Sequence, residues 1–173
     1  MHIRYSVLSI LFLACCFSAA YSAEIGPYVG KRAPVFELDT IENKKVKLQD
    51  YAGKVVILNF WASWCGPCKA EMSSLNRLYE EFKGMGLVVL AVSIDRSVES
   101  AASLKSEKGL TFPILMDPEK EVYFDDYAVV VLPTTFLIDT DGIIRDKFMG
   151  EIKWDDPEVK QRIAAYLPAS KKR

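Results

Sequence analysis

The sequence predicts an α/β fold: a central mixed β-sheet flanked by helices. Three observations predict it. Residues 55–60 (Val-Val-Ile-Leu-Asn-Phe) and 87–94 form two nearly unbroken apolar runs rich in β-branched residues, the pattern of strands buried on both faces. Between them, Met72, Leu75, Tyr79 and Phe82 recur at helical spacing, with Lys69, Arg77, Glu80 and Glu81 on the other face. Late in the chain, residues 134–138 and 143–148 flank the turn Asp139-Thr140-Asp141-Gly142, a hairpin. Strands alternating with helices close into layers of this kind.

In chain order, residues 35–38 and 45–48 read as two short strands joined by a polar turn at Glu42-Asn43-Lys44, an N-terminal β-hairpin extension. Gly53 separates it from the first buried strand. Pro67 suits the first turn of the following helix, where a missing N–H is no loss, and Gly84 and Gly86 mark its end. A second helix is expected over 97–108, stopped by Gly109. A short strand over 112–115 and a helical turn from Asp117-Pro118 through Phe124 come next. Pro157 opens a last helix running to about Leu167.

The chain of 173 residues accommodates one domain behind a removable leader. His2 and Arg4 precede an uncharged stretch over 7–17, and Ser18, Ala19 and Ala20 follow, the order of a secretory signal. The expected division is a signal segment over 1–23 and a domain over 24–173, with cleavage after Ala20 preferred and cleavage near Ala23 as the variant. Two alternatives stay open. Phe12-Leu13-Ala14-Cys15 loosely matches a lipoprotein signal, which would tether the protein through Cys15. An uncleaved anchor is disfavoured because the apolar run is shorter than the ~20 residues of a span. All three place the domain outside the cytoplasm, in a bacterial periplasm or on the outer face of the membrane.

With 22 basic and 23 acidic residues the chain has no charge excess that points to nucleic acid. Lys171-Lys172-Arg173 is read as a terminus. Cysteine usage is more telling. Cys15 and Cys16 lie in the leader, so the domain keeps only Cys65 and Cys68. A bridge closing so small a loop contributes little stability, and the pair is better explained by chemistry. A zinc site needs about four ligands, and His2 in the leader is the only histidine. No metal is expected, and no cofactor beyond the redox-active disulfide Cys65–Cys68.

The chemistry follows from placement. Cys65 just before a helix start meets free backbone N–H groups and the positive end of the helix dipole, which favour its thiolate. Cys68, one turn inside, is less accessible but in reach. Cys65 attacks a disulfide, and Cys68 resolves the mixed disulfide. Gly66 and Pro67 shape the loop between them.

Phe60-Trp61-Ala62-Ser63-Trp64-Cys65-Gly66-Pro67-Cys68 resembles the active-site motif of the thioredoxin superfamily. The chain as a whole, over about residues 28–168, resembles the TlpA/ResA-type extracytoplasmic oxidoreductases. Gly30-Lys31-Arg32-Ala33-Pro34-Val35-Phe36 is similar to that family's N-terminal hairpin. Leu132-Pro133-Thr134-Thr135-Phe136-Leu137-Ile138-Asp139 is similar to its cis-proline segment, and Glu71 matches its glutamate. The resemblance implies a thioredoxin-like fold, a cis bond at Pro133, and a substrate-holding surface of Trp64, Gly66, Pro67, Leu132, Pro133 and Thr134. Asn59 stands where ordinary thioredoxins carry a buried aspartate, so Glu71 is expected to relay protons for Cys68. Trp61 is expected in the core. Ser73 replaces a common proline, which removes the family's helix kink from the expectation, and residues 127–131 lack a common glycine in a loop expected to touch substrate.

The family resemblance implies a reductant of protein disulfides that keeps exported thiols reduced, those of apocytochrome c among them, fed by a membrane thiol carrier of the DsbD/CcdA type. The rivals are a disulfide-forming oxidant, a peroxiredoxin-type peroxidase, which usually lacks a Cys-Gly-Pro-Cys pair, and a non-catalytic binding domain on the same fold.

Overall fold

A computed structural model describes residues 28–168. The leader with its cleavage sites, Cys15, Cys16 and the basic end at 171–173 lie outside the described residues.

The fold is thioredoxin-like. Seven strands, β1 (Glu37–Thr40), β2 (Lys45–Lys47), β3 (Val55–Trp61), β4 (Leu87–Ser93), β5 (Ile114–Met116), β6 (Thr134–Ile138) and β7 (Ile144–Met149), form one sheet in the order β2-β1-β5-β4-β3-β6-β7. Pairs β3–β4 and β4–β5 are parallel and the other pairs antiparallel, so the sheet is mixed. The helices are α1 (Gly66–Phe82), α2 (Val98–Lys108) and α3 (Pro157–Ala164).

The two apolar runs occupy the centre, as their composition requires. Every residue of β3 is buried, and β4 is buried except at Val88. The N-terminal hairpin joins the far edge of the sheet through β1–β5 pairing.

Most elements fall where the sequence puts them, and the displaced ones have local causes. The hairpin strand begins at Glu37, not residue 35, because its partner β2 ends at Lys47 and the chain turns away over Leu48–Tyr51. Strand β5 starts only after Pro113, which has no N–H to give to a ladder, although its carbonyl accepts from Ala91 N–H at 3.3 Å. The turn after Asp117 is broken at Lys120, which has φ 64°, and continues as a π-helical segment over Glu121–Asp126. Helix α3 ends at Ala164, ahead of Pro168, which disfavours helical backbone at Leu167. Helix α1 runs unbroken through Ser73. After it, Gly86 has φ 98°, a backbone conformation that favours glycine, and a Cβ there would also stand a tight 3.1 Å from the Pro168 ring.

The packing that positions the site is aromatic. Phe60, fully buried near the end of β3, meets Tyr123, Tyr127 and Phe136 with ring centroids 5.9, 5.4 and 6.2 Å away. Such pairs contribute about 0.5–1.5 kcal/mol each beyond their buried area. The cluster ties β3 and β6 to the segment that leads into the Leu132-Pro133 turn. Tyr127 is also anchored by its hydroxyl, which donates to the Pro34 carbonyl at 2.8 Å.

Candidate active site

The site forms where β3 gives way to α1. Residue 65 is the N-cap of α1, with extended backbone, and its Sγ accepts the Cys68 N–H at 3.3 Å. Pro67 lies in the first helical turn. A 17-residue helix therefore points its free N–H groups and positive dipole end at Cys65. Cys65 and Cys68 are joined by a disulfide, with Cα atoms 5.3 Å apart. Cys65 is 6% exposed and Cys68 is fully buried, the order expected of an attacking and a resolving sulfur.

Around the pair, Trp64 is 68% exposed, a large apolar ring turned to solvent beside the reactive residue. A Cβ at Gly66 would meet nothing within 4 Å, so the fold itself does not demand glycine there. The peptide bond between Leu132 and Pro133 is cis. Its place follows from register: Phe60 pairs with Thr134, so Pro133 comes beside Trp61 at the end of the sheet from which the cysteine loop departs. Leu132 is half-buried, and Val130 and Val131 just before it are exposed. Thr134 is buried, and its hydroxyl donates to the Val131 carbonyl at 2.7 Å, which fixes the turn. The Pro133 carbonyl accepts from Gly150 N–H at 2.8 Å. Trp61 lies in the core.

Beneath the cysteines is a buried polar cluster. Glu71 sits three residues after Cys68 on α1, on the same side, and is buried with it. Asn59 Nδ2 donates to Glu71 Oε1 and to Thr135 Oγ1, both at 2.8 Å, and Ile152 N–H donates to Glu71 Oε2 at 2.9 Å. Burial pushes the Glu71 carboxyl up to about 7, against the lowering influence of the Ile152 N–H and the Asn59 amide. The segment carrying Ile152 and Trp154 is tethered to α1 through Ser74. The Ser74 hydroxyl donates to the Glu71 carbonyl at 2.8 Å and accepts from Trp154 N–H at 3.2 Å.

Sequence reasoning missed several of these partners. Ile152 acts through its backbone, and Ser74 and Thr135 through side chains too common to single out. Asp95 and Ser63, which bond each other beside the cysteine loop, were also missed. Asp95 had one legible signal: it follows the end of a central parallel strand, where α/β folds gather their functional groups.

The cluster has the parts a dithiol exchange needs: a sulfur at a helix start, a second sulfur in reach, and a carboxyl that changes charge near neutral pH. Comparison with known proteins agrees. Residues 29–147 match the AhpC/TSA family. The thiol-disulfide oxidoreductase ResA of Bacillus cereus is 35% identical over 167 residues, covering 95% of this chain and 92% of that protein. The thioredoxin-like protein YneN of Bacillus subtilis is 39% identical over 140 residues, covering 79% of this chain and 81% of its own. A crystal structure from Chlorobium tepidum, described as a thiol:disulfide interchange protein DsbE, superimposes with a TM-score of 0.75 at 34% identity, over 81% of this chain and 98% of its own. The chain thus belongs to the AhpC/TSA family and, within its thioredoxin-like members, is a thiol–disulfide oxidoreductase of the ResA type.

Proposed function

We propose that this oxidoreductase works as a reductant of disulfides in exported proteins. The observation that carries the reading is Glu71, buried on the face of α1 that carries Cys68 and held by Asn59 and Ile152. A reductant must deprotonate a buried second thiol on every turnover, and a carboxyl titrating near neutrality suits that task.

In the proposed cycle, the Cys65 thiolate attacks one sulfur of a substrate disulfide and releases the other as a thiolate. Glu71 takes the Cys68 proton. Cys68 then attacks the Cys65 sulfur, the second substrate thiolate leaves, and the enzyme disulfide forms. Two electrons have passed to the substrate. A membrane thiol carrier of the DsbD/CcdA type is the proposed source that restores the dithiol. Trp64, Gly66, Pro67, Leu132, Pro133 and Thr134 form the proposed substrate-facing surface, with cis-Pro133 letting neighbouring backbone groups face the substrate chain and Thr134 holding the turn. The leader pattern supports an extracytoplasmic enzyme, soluble in the periplasm or tethered at the membrane.

The proposed substrate is apocytochrome c, whose haem-attachment cysteines must be reduced. The reduced enzyme, mixed with an oxidised Cys-X-X-Cys-His peptide, is expected to yield one enzyme disulfide per peptide dithiol by intact mass. An enzyme that instead oxidises the reduced peptide, and leaves the oxidised one untouched, is the disulfide-forming alternative. An enzyme that does neither, yet retains the peptide, is the binding domain.

A further inference from the structure

The side chain of Asp95 is 4% exposed, lies just past the end of β4, and has no part in the cycle above. Its Oδ2 accepts from Ser63 N–H at 2.9 Å and from the Ser93 hydroxyl at 2.7 Å, and its Oδ1 accepts from the Ser63 hydroxyl at 2.8 Å. The Asp95 N–H donates back to Ser93 Oγ at 3.1 Å. It forms no salt bridge to a lysine or arginine among the described residues.

A buried carboxyl without a cation is an expensive choice for a core position, tolerated where several donors converge on it. The strands do not need it, because β3 and β4 complete their pairing at Trp61 and Ser93. What it holds is the stretch between β3 and α1. Ser63 is two residues ahead of Cys65, and the Asp95 carboxylate reaches both its N–H and its hydroxyl while holding Ser93. Two backbone bonds flank this clamp, Ile94 N–H to the Trp61 carbonyl and Cys65 N–H to the Ala62 carbonyl, both at 3.1 Å. The connection is thus fixed at each step from the sheet to the reactive cysteine.

We propose that Asp95 is a positioning residue for the exchange reaction: by clamping Ser63 to the end of β4 it sets Cys65 at the N-cap of α1 and Trp64 outward beside it. The alignment of the Cys65 sulfur with the free N–H groups of α1 depends on this clamp, and so does the stability of its thiolate.

The test is the pH profile of Cys65 alkylation by iodoacetamide in the reduced full chain, with thermal unfolding measured in parallel. Glu71 faces the same pair and is left intact in every variant. D95A and D95N both remove the Asp95 carboxylate, whose negative charge disfavours the Cys65 thiolate, so the two are compared with each other. The D95A alkylation midpoint is expected to lie about 0.5 pH unit above that of D95N, making the reaction below the midpoint roughly threefold slower. In D95N the amide oxygen still accepts from Ser63 N–H and Ser93, and the amide N–H₂ donates to a reoriented Ser63 hydroxyl, so the clamp is kept and the difference from wild type reports the lost charge alone. A role confined to stability lowers the melting temperature but leaves the two midpoints equal. A folded D95A whose midpoint equals that of D95N overturns the proposal. If D95A does not fold, S63A and S93A each remove one donor. Each is expected to move the midpoint the same way by a smaller step, and no movement in either overturns the proposal.

Discussion

Replacing Cys65 by serine is expected to abolish disulfide reduction, whereas Cys68→Ser is expected to complete the first half-reaction and stop. Among the described residues Cys65 is the only sulfur placed at a helix N-cap, and it is the more accessible of the pair. A serine hydroxyl at that position stays protonated and does not attack a disulfide at neutral pH. Insulin reduction should fall by about a thousandfold or more, to the background rate. Cys68→Ser keeps the nucleophile and loses the resolving group, so it should accumulate a mixed disulfide visible on a non-reducing gel. The fold should survive both changes, because a bridge between residues three apart contributes no more than about 2 kcal/mol. Substantial reductase activity in a folded Cys65→Ser variant would place the chemistry elsewhere.

The second large effect is expected from Glu71→Gln. The glutamine preserves the shape of the site and can still accept from Asn59 or Ile152, but it cannot take a proton. Resolution by Cys68 should slow by about 100-fold, the lower range for losing a positioned acid–base group. In the wild type, single-turnover resolution should rise through pH 7 as the carboxyl ionises, and Glu71→Gln should lack that inflection. Stability gives an independent reading of the same group. The folded protein holds the Glu71 proton more tightly than the unfolded chain, whose glutamates titrate near 4.5. The resulting stabilisation is complete below pH 4.5 and is lost as pH rises to about 7, a change of about 3 kcal/mol for so buried a carboxyl. Glu71→Gln should lose that slope, so the wild type's advantage over it should shrink as pH rises. Urea unfolding of both proteins at pH 4.5 and pH 7.5 measures it. Identical pH dependence in the two proteins would remove Glu71 from the relay.

The sequence made the reactive pair legible because its chemistry is local. Cys65, Pro67 and Cys68 sit within one helical turn, and spacing alone brings the sulfurs together. The buried strands were legible for a similar reason, since residues 55–60 and 87–94 state their burial in composition. The cis bond before Pro133 was legible only through family resemblance, because proline by itself is compatible with a trans strand opening. The cradle of Glu71 was legible in half. Asn59 was singled out only through the family resemblance, as a residue that cannot titrate where ordinary thioredoxins carry an aspartate, and not as a partner of Glu71. Ile152 was not legible, because a backbone N–H 81 residues from its acceptor leaves no trace in a side-chain pattern. Asp95 and Ser63, 32 residues apart, meet only because β3 and β4 run in parallel and end level with each other. The strand and helix ends that shifted, at Glu37, Ile114 and Ala164, were set by a partner's length or by a proline's missing donor and steric demand, which periodicity does not report.

The reduction potential of the Cys65–Cys68 pair, read from tryptophan fluorescence in glutathione or dithiothreitol buffers, tests the reductant assignment most directly. Trp64 stands next to Cys65, and its fluorescence is expected to follow the redox state of the pair. The account predicts a value at or below about −270 mV, where a dithiol gives electrons to most protein disulfides. A value near about −120 mV, that of a strong disulfide-introducing oxidant, would contradict it and reverse the direction of the reaction.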